Sequence, residues 1–288
     1  MKPELGPFLD QLAVKYGSQY LHSDPLLEVR RFDAPEDREV AGFLAASLSF
    51  GRVDLILRAL QDLWDRLDQR PAEVLRGWNG RDKKRTQGFT YRWIREEDLA
   101  VVLNGLGRAL RKEGSLRALF LRQYEATEPD LSLSMSRFLV SLQSHLRSGR
   151  RRMTWDEMPR GVRTFFSDPT RGAACKRMQM YFRWLVRPDD GVDLGLLPEV
   201  SPAQLTMPLD THVARISQNL GLTKRKSVDW KMAREVTEAL QAFSPSDPVK
   251  YDFALARLGI LDACPKRVEK KKCSSCSLLP VCQRGRGV

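Results

Sequence analysis

Apolar residues recur at helical spacing along most of this chain. In residues 53–67, VDLILRALQDLWDRL, intervals of three and four predict one buried helix face, which comprises Leu55, Ile56, Leu60, Leu63, Trp64 and Leu67. Residues 39–50 predict a buried helix, and the amphipathic pattern recurs at 98–110 and 131–146. Segments rich in glycine, proline and charge predict loops between them, at 78–90, 147–158 and 187–206. No segment alternates with period two for long enough to predict a sheet, so the sequence predicts an all-α fold.

The composition is that of an ordinary soluble protein, with 42% hydrophobic and 29% charged residues. No apolar run approaches the ~20 residues that a membrane span requires. The first twelve residues carry an acid and prolines where a signal peptide would have a basic segment and then an apolar one. We therefore expect a cytoplasmic protein without a membrane partner, whose five cysteines are not structural disulfides.

The net charge of +12 is unevenly distributed along the chain. Residues 147–187 carry 11 basic against 3 acidic side chains, and residues 264–288 carry 7 against 1. The remaining segments nearly balance. If the fold brings the two basic segments together, they form a positive face suited to a polyanion such as nucleic acid. A generic basic surface that aids solubility is the alternative.

Four of the cysteines lie close together near the end of the chain. Cys264, Cys273, Cys276 and Cys282 form a C-x8-C-x2-C-x5-C series. Cysteines at such short spacing predict a metal site. Zinc sites usually have two closely spaced pairs separated by a longer insert, whereas this compact series favours a [4Fe–4S] cluster, with zinc or free thiols as the alternatives. The first loop also contains Lys270 and Lys271, which a bound cluster would hold in place to contact phosphates.

The segment MPLDTHVARISQNLGL, residues 207–222, predicts a helix that begins after Asp210 and ends at Gly221. In the simplest interpretation Asp210 only caps this helix, a contribution of roughly 1 kcal/mol. The neighbouring motifs decide whether its carboxylate has a second role.

The cysteine series resembles the C-terminal cluster of the endonuclease III branch of the helix-hairpin-helix DNA glycosylases. The x2 and x5 gaps match, whereas the first gap is longer here. The string LDTHVAR, residues 209–215, resembles the family's V-D-T-H-x-x-R, in which the aspartate is catalytic. Both motifs stand in the family's order. The resemblance implies that Asp210 is catalytic and that the four cysteines bind a [4Fe–4S] cluster.

The same family has a G-x-G-x-K hairpin before this aspartate. Residues 172–176, GAACK, resemble it, with alanine at 174 in place of the second glycine. In bifunctional members the lysine is the nucleophile, so the resemblance implies this role for Lys176. Residues 176–183 also resemble the lysine helix of oxoguanine glycosylase/lyases. The 33 residues between Lys176 and Asp210 exceed the family's usual interval, which predicts an inserted loop at 187–204.

The resemblance implies two helical lobes with an active cleft between them. One is a helical barrel at 40–185, and the other combines 1–39 with 205–288 and contains the cluster loop, 264–282. Amides and basic side chains around the hairpin, the cleft and the cluster loop are expected to bind DNA: Arg171, Gly172, Ala174, Arg177, Arg52, Lys270 and Lys271. Phe50 and Arg52 lie where the family fills the gap left by a flipped base, although Phe50 suits a core position equally well.

The function implied is a base-excision DNA glycosylase with AP lyase activity, acting as a monomer on duplex DNA that contains a damaged base, with an oxidised base as the expected class. Alternatives are a DNA-binding or lesion-sensing protein without catalysis and a glycosylase that leaves the strand intact. His212, Cys175 and Trp184 lie near the motifs, and we expect structural roles for all three.

Overall fold

The structure, a computed structural model, describes residues 4–261 and 263–285. The helices of its first part are α1 Leu5–Lys15, α2 Leu26–Arg30, α3 Pro35–Leu48, α4 Val53–Arg66, α5 Pro71–Arg76, α6 Glu96–Glu113, α7 Leu116–Leu121 and α8 Ser132–Gln143. Those of the second part are α9 Arg160–Arg163, α10 Lys176–Val186, α11 Thr211–Leu220, α12 Trp230–Gln241, α13 Asp252–Ile260 and α14 Lys270–Ser274. Helix accounts for 58% and strand for 4%, which confirms the all-α prediction.

Helix α3 lies at the centre of the first part of the chain. Pro35 stands in its first turn, where the missing N–H of proline costs no hydrogen bond, and every residue from 39 to 48 is buried. Such a helix needs neighbours on all sides, and α3 packs against α2, α5 and α10. It therefore supports α10, the helix that begins with Lys176.

The amphipathic helix predicted at 53–67 is present as α4, with one correction. Ile56, Leu60, Leu63 and Trp64 are buried, but Leu55 is 37% exposed. A predicted stripe covers a broad arc of the helix, and neighbouring helices cover only part of that arc here.

Two short hairpins were not predicted from the sequence. Strands β1 Thr90–Tyr91 and β2 Ile94–Arg95 pair antiparallel, as do β3 Arg147–Ser148 and β4 Arg151–Arg152. Strands of two residues are too short to show an alternating pattern. Both hairpins lie within or beside segments that the sequence assigned to loops.

The ends of the chain pack together around α13. Helix α1 and helix α11 both contact α13, so residues from the N-terminal segment and the last third share one core. This packing agrees with a second lobe built from both ends, although the two-lobe division stays a prediction. Within the described ranges, none of the helices is both long and apolar enough to span a membrane.

Candidate active site

Asp210 stands at the N-terminus of α11 and uses its two oxygens differently. Oδ1 accepts hydrogen bonds from the backbone N–H groups of His212, at 2.8 Å, and Val213, at 2.9 Å. Oδ2 lies 3.0 Å from Nζ of Lys176. The capping bonds fix the carboxylate, and the second oxygen remains available to the lysine. The helix cap and the pairing with Lys176 are therefore compatible.

Lys176 is the first residue of α10 and follows a tight turn. Asp168 begins the turn by accepting a hydrogen bond from the N–H of Thr170 at 2.9 Å. The left-handed positions are Gly172, with φ 82°, and Cys175, with φ 47°. Ala174 is not left-handed, so its side chain causes no strain of that kind. The unusual conformation at Cys175 directs the chain into α10 and places Lys176 opposite α11.

The pair faces a cleft of about 820 Å³. Residues from five parts of the chain line it, among them Asp24, Phe50, Arg52, Lys176, Asp210, His212 and Arg257. A cleft of this size accommodates a group as large as a nucleotide. The amine and the carboxylate, which are 34 positions apart in sequence, thus share one accessible space.

The electrostatics of the cleft depend on two carboxylates. Burial opposes ionisation of Asp210, but the charge of Lys176 and the N–H of Val213 outweigh it and hold its pKa below the usual value. Asp252, at the start of α13, is fully buried, and burial raises its pKa to about 6 against the attraction of Arg183. Asp252 also interacts electrostatically with Lys176 and Asp210. It is therefore a second carboxylate behind the pair.

The predicted insertion at 187–204 lies outside the lining of this cleft. Asp193, fully buried, accepts hydrogen bonds from Arg183 at 3.1 and 3.0 Å and is also bonded by Arg187. The N–H of Leu194 donates to the carbonyl of Trp184 at 2.7 Å. The insertion therefore packs against α10 and neutralises the buried Arg183 and Arg187. Trp184 is itself buried, as expected for a structural residue.

The residues expected to bind DNA differ in their accessibility. Arg171, Gly172, Lys270 and Lys271 are exposed, and so is Arg52, which pairs with Asp54 at 2.9 Å. Ala174 is half-buried in the turn.

Arg177 differs from the other residues of this set. Its guanidinium donates to the carbonyl of Ser47 at 2.8 Å and to Oγ of Ser167 at 3.1 Å, and it lies 5.2 Å from the centre of the Phe50 ring. Burial lowers its pKa to about 10. Since its donors are used within the protein, Arg177 suits support of the cleft wall better than the predicted contact with phosphate.

Phe50 lines the cleft and is supported from behind. Its ring stacks on Trp93, with centroids 4.7 Å apart and an interplanar angle of 22°, and Tyr91 donates a hydrogen bond to its carbonyl oxygen. The ring is only partly buried, so both sequence interpretations hold in part: it packs on the core and also faces the cleft. The contact with Trp93 was not predicted from the sequence, because the β1–β2 hairpin brings Trp93 to Phe50 from a distant segment.

A family model described as "Protein of unknown function (DUF2400)" matches residues 24–261. The chain belongs to the DUF2400 family. No curated protein and no solved structure matches the chain. The DUF2400 match includes Lys176 and Asp210 and ends before Cys264, so it contains the cleft pair but not the cysteine series.

Beyond the DUF2400 match, the four cysteines line one small cavity of about 40 Å³: Cys264, Cys273, Cys276 and Cys282. Within residues 4–261 and 263–285, no set of three or more histidine, cysteine, aspartate or glutamate side chains is already arranged to hold a metal ion. Burial raises the pKa of Cys264 and Cys276. A metal centre here would have to displace the thiol protons and draw the four sulfurs together.

The cysteine cavity is joined to the helix that begins beside Asp210. On α11, Arg215 donates to the carbonyl of Cys264 at 2.6 Å, and Nδ2 of Asn219 lies 3.8 Å from Sγ of Cys264. The N–H of Gln283 donates to the carbonyl of Asn219 at 2.7 Å. The position of α11, and hence of Asp210, therefore depends on the loop that holds the cysteines.

Three charged residues near the pair were not predicted from the sequence: Asp24, Asp252 and Arg257. Asp24 accepts hydrogen bonds from the N–H of Leu26 at 2.9 Å and from the guanidinium of Arg257 at 2.6 Å. Asp24 and Arg257 both line the cleft. Arg257 and Asp252 stand in α13, whose sequence DFALARLGI is otherwise apolar. Charged residues in such a helix are the signal that would have found them, because burial of charge requires a nearby partner.

Proposed function

We propose that this protein is a DNA glycosylase with AP lyase activity that removes a damaged base from duplex DNA. The observation that carries the proposal is the 3.0 Å contact between Nζ of Lys176 and Oδ2 of Asp210 inside a cleft large enough for a nucleotide. The resemblance of residues 172–176 and 209–215 to the helix-hairpin-helix glycosylases supports it. The target nucleotide would leave the base stack and enter the cleft, at a cost of a few kcal/mol.

In the proposed reaction, Lys176 first loses a proton to Oδ2 of Asp210. Its amine then attacks C1′ of the sugar, the Nζ–C1′ bond forms, and the glycosidic bond breaks with its electron pair on the base. The base takes the proton from Asp210. Since the pKa of Asp210 is held low, this carboxylate is a poor final acceptor and passes the proton on readily. Once the proton has passed to the base, the negative charge of Asp210 stabilises the positive charge of the Nζ–C1′ adduct.

Strand cleavage would follow from the same covalent bond. The C1′–O4′ bond breaks, O4′ takes one of the two protons left on Nζ, and a protonated Schiff base remains. Loss of a proton from C2′ then breaks the C3′–O bond, and the 3′ phosphate leaves. Oxidised guanine and oxidised pyrimidines are the classes of base to test first.

We also propose that the four cysteines bind a [4Fe–4S] cluster, with zinc as the alternative. Their shared cavity and all-thiolate donor set suit either centre. A bound centre would hold the C-terminal loop against α11, and it has no part in the steps at C1′.

The test is covalent trapping by borohydride on a panel of duplexes, each with one lesion. Borohydride reduces the Schiff base and leaves the protein attached to the DNA. We expect an adduct with at least one lesion and none with Lys176→Gln. The matched control is Lys250→Gln, since Lys250 pairs with Asp10 at 2.9 Å and has the same 32% side-chain exposure as Lys176 but lies outside the cleft.

Three results distinguish the candidates. An adduct that Lys250→Gln keeps and Lys176→Gln loses supports the bifunctional enzyme. Base release without an adduct supports a glycosylase that leaves the strand intact. Tight lesion binding with neither reaction supports a lesion-sensing protein and refutes the enzyme.

A further inference from the structure

A stack of aromatic and guanidinium groups runs outward from the cleft. Phe50, at the cleft, stacks on Trp93, and the guanidinium carbon of Arg160 lies 4.1 Å from the centre of the Trp93 ring. Trp93 is held by a 2.7 Å hydrogen bond from Nε1 to Oγ1 of Thr164. Arg160 is exposed, so the outer end of this stack is a cation at the surface.

A second stack lies beside the turn that precedes Lys176. The guanidinium carbon of Arg171 is 4.1 Å from the centre of the Trp155 ring, and that of Arg163 is 5.5 Å from it. Arg160 and Arg163 are the two ends of α9, so this short helix joins the two stacks. We call this surface the arginine–tryptophan track, comprising Trp93, Trp155, Arg160, Arg163 and Arg171.

Among the residues that the structure describes, the outer arginines of the track have no anionic partner. Among the described residues, neither Arg160 nor Arg171 has a side-chain ion pair or hydrogen bond, whereas the neighbouring Arg151 pairs with Glu157. Arg163 donates to the carbonyl of Asp156 at 2.9 Å, and its buried Nε has no partner among those residues. The track therefore presents two unneutralised guanidinium groups.

A contact of this kind restricts the guanidinium side chain before it binds a phosphate. A guanidinium group held over an indole ring is attracted by the ring face and keeps the N–H donors along its edge for a ligand. Two such donors match two phosphate oxygens, and a side chain already held against a ring loses less entropy on binding. The surrounding segment, residues 147–171, has 7 basic and 3 acidic side chains, which adds a favourable field.

We propose that the arginine–tryptophan track binds the sugar-phosphate backbone of duplex DNA, as a phosphate-binding surface separate from the hairpin amides. The inference rests on the proposed function for its choice of polyanion. The track joins the cleft at Phe50 to the turn at Gly172, so a strand entering the cleft would follow the track on one side. These contacts recognise phosphates, so they carry no base specificity.

The experiment measures binding of the Lys176→Gln protein to an undamaged duplex by fluorescence anisotropy over a range of salt concentrations. Arg160→Gln and Arg171→Gln are made separately and together on this background. We expect each to weaken binding several-fold and to reduce the slope of log K against log salt by about 1, as for loss of one phosphate contact. The control is Arg70→Gln, which removes an exposed arginine that pairs with Glu73 at 2.9 Å.

Slopes that stay equal to that of Arg70→Gln overturn the track as a phosphate-binding surface. Equal or tighter binding of a duplex RNA of the same length, with the same loss in the variants, overturns DNA as its partner. This experiment measures binding and not catalysis. Its result is therefore independent of borohydride trapping: either hypothesis can be refuted while the other is supported. Thermal melting of each variant establishes that a change in binding is not unfolding.

Discussion

Nζ of Lys176 reaches Oδ2 of Asp210 at 3.0 Å because Oδ1 of the same carboxylate is held by the first turn of α11. Oδ1 therefore stabilises the helix, whereas Oδ2 is available to the lysine. An amide at the same position keeps an oxygen for the cap but loses the negative charge.

The first prediction concerns Asp210→Asn. Asparagine is also a good N-cap, so we expect the melting temperature to stay within about 3 °C of wild type. Loss of the charge and of the proton acceptor should slow base release by a factor on the order of 100 or more. Single-turnover kinetics measure the rate. A variant that releases base at the wild-type rate would show that the carboxylate has only its capping role.

A second prediction concerns acid pH. The pKa of Asp210 is lowered, so its ionised form stabilises the fold above the unfolded pKa of 3.8, and this contribution disappears as pH falls through the lower folded pKa. The difference in unfolding free energy between wild type and Asp210→Asn should therefore stay constant from pH 7 to about 5 and shrink below about 4. Denaturant unfolding at several pH values measures it. A difference that already shrinks between pH 7 and pH 5 would contradict the lowered pKa.

The third prediction concerns Asp252, for which the unfolding free energy should change with pH in the opposite direction. Burial raises its pKa to about 6, so the folded state holds this proton more tightly than the unfolded chain, whose reference pKa is 3.8. Between these values the unfolding free energy of wild type should fall relative to Asp252→Asn as pH rises, and it should level off above pH 6. The same denaturant series provides the measurement. A relative rise over this range would refute the raised pKa.

A fourth prediction concerns Cys175, which adjoins Lys176. Burial raises the pKa of its thiol to about 12, and the side chain is 6% exposed. We expect no alkylation of Cys175 by iodoacetamide in the native protein at about pH 8, and complete alkylation after unfolding in denaturant, since only the thiolate reacts. Peptide mass spectrometry reads both states. Rapid native alkylation would indicate a reactive thiol beside the lysine.

The last prediction concerns the metal centre. We expect the purified protein to carry iron and acid-labile sulfide, about four of each per chain. Cys264→Ser should lose the metal and lower the melting temperature by roughly 5 °C or more, since loss of a metal is among the few single changes that cost several kcal/mol. Cys175→Ser is the control. Bound zinc without iron would establish the alternative centre, and absence of any metal with unchanged melting would refute both.

Local patterns in the sequence were enough for the helices and for the cap at Asp210. Apolar patterns predicted α3, α4, α6 and α8, because each pattern lies within a single segment of the chain. The cap, the buried stripe and the end at Gly221 predicted α11, since each involves residues within one or two turns. The resemblance of their motifs to a known family also singled out Lys176 and Asp210 as candidate catalytic residues.

Other features of the site depend on contacts between distant parts of the chain, and only the tertiary structure decided them. It brought Lys176 within 3.0 Å of Asp210, enclosed Arg177, left Leu55 exposed and placed Asp252 behind the pair. No local pattern specifies these outcomes, because burial and pKa depend on which surfaces the folded chain brings together. The sequence by itself determined which helices form and which groups begin them, whereas packing decided which of those groups meet.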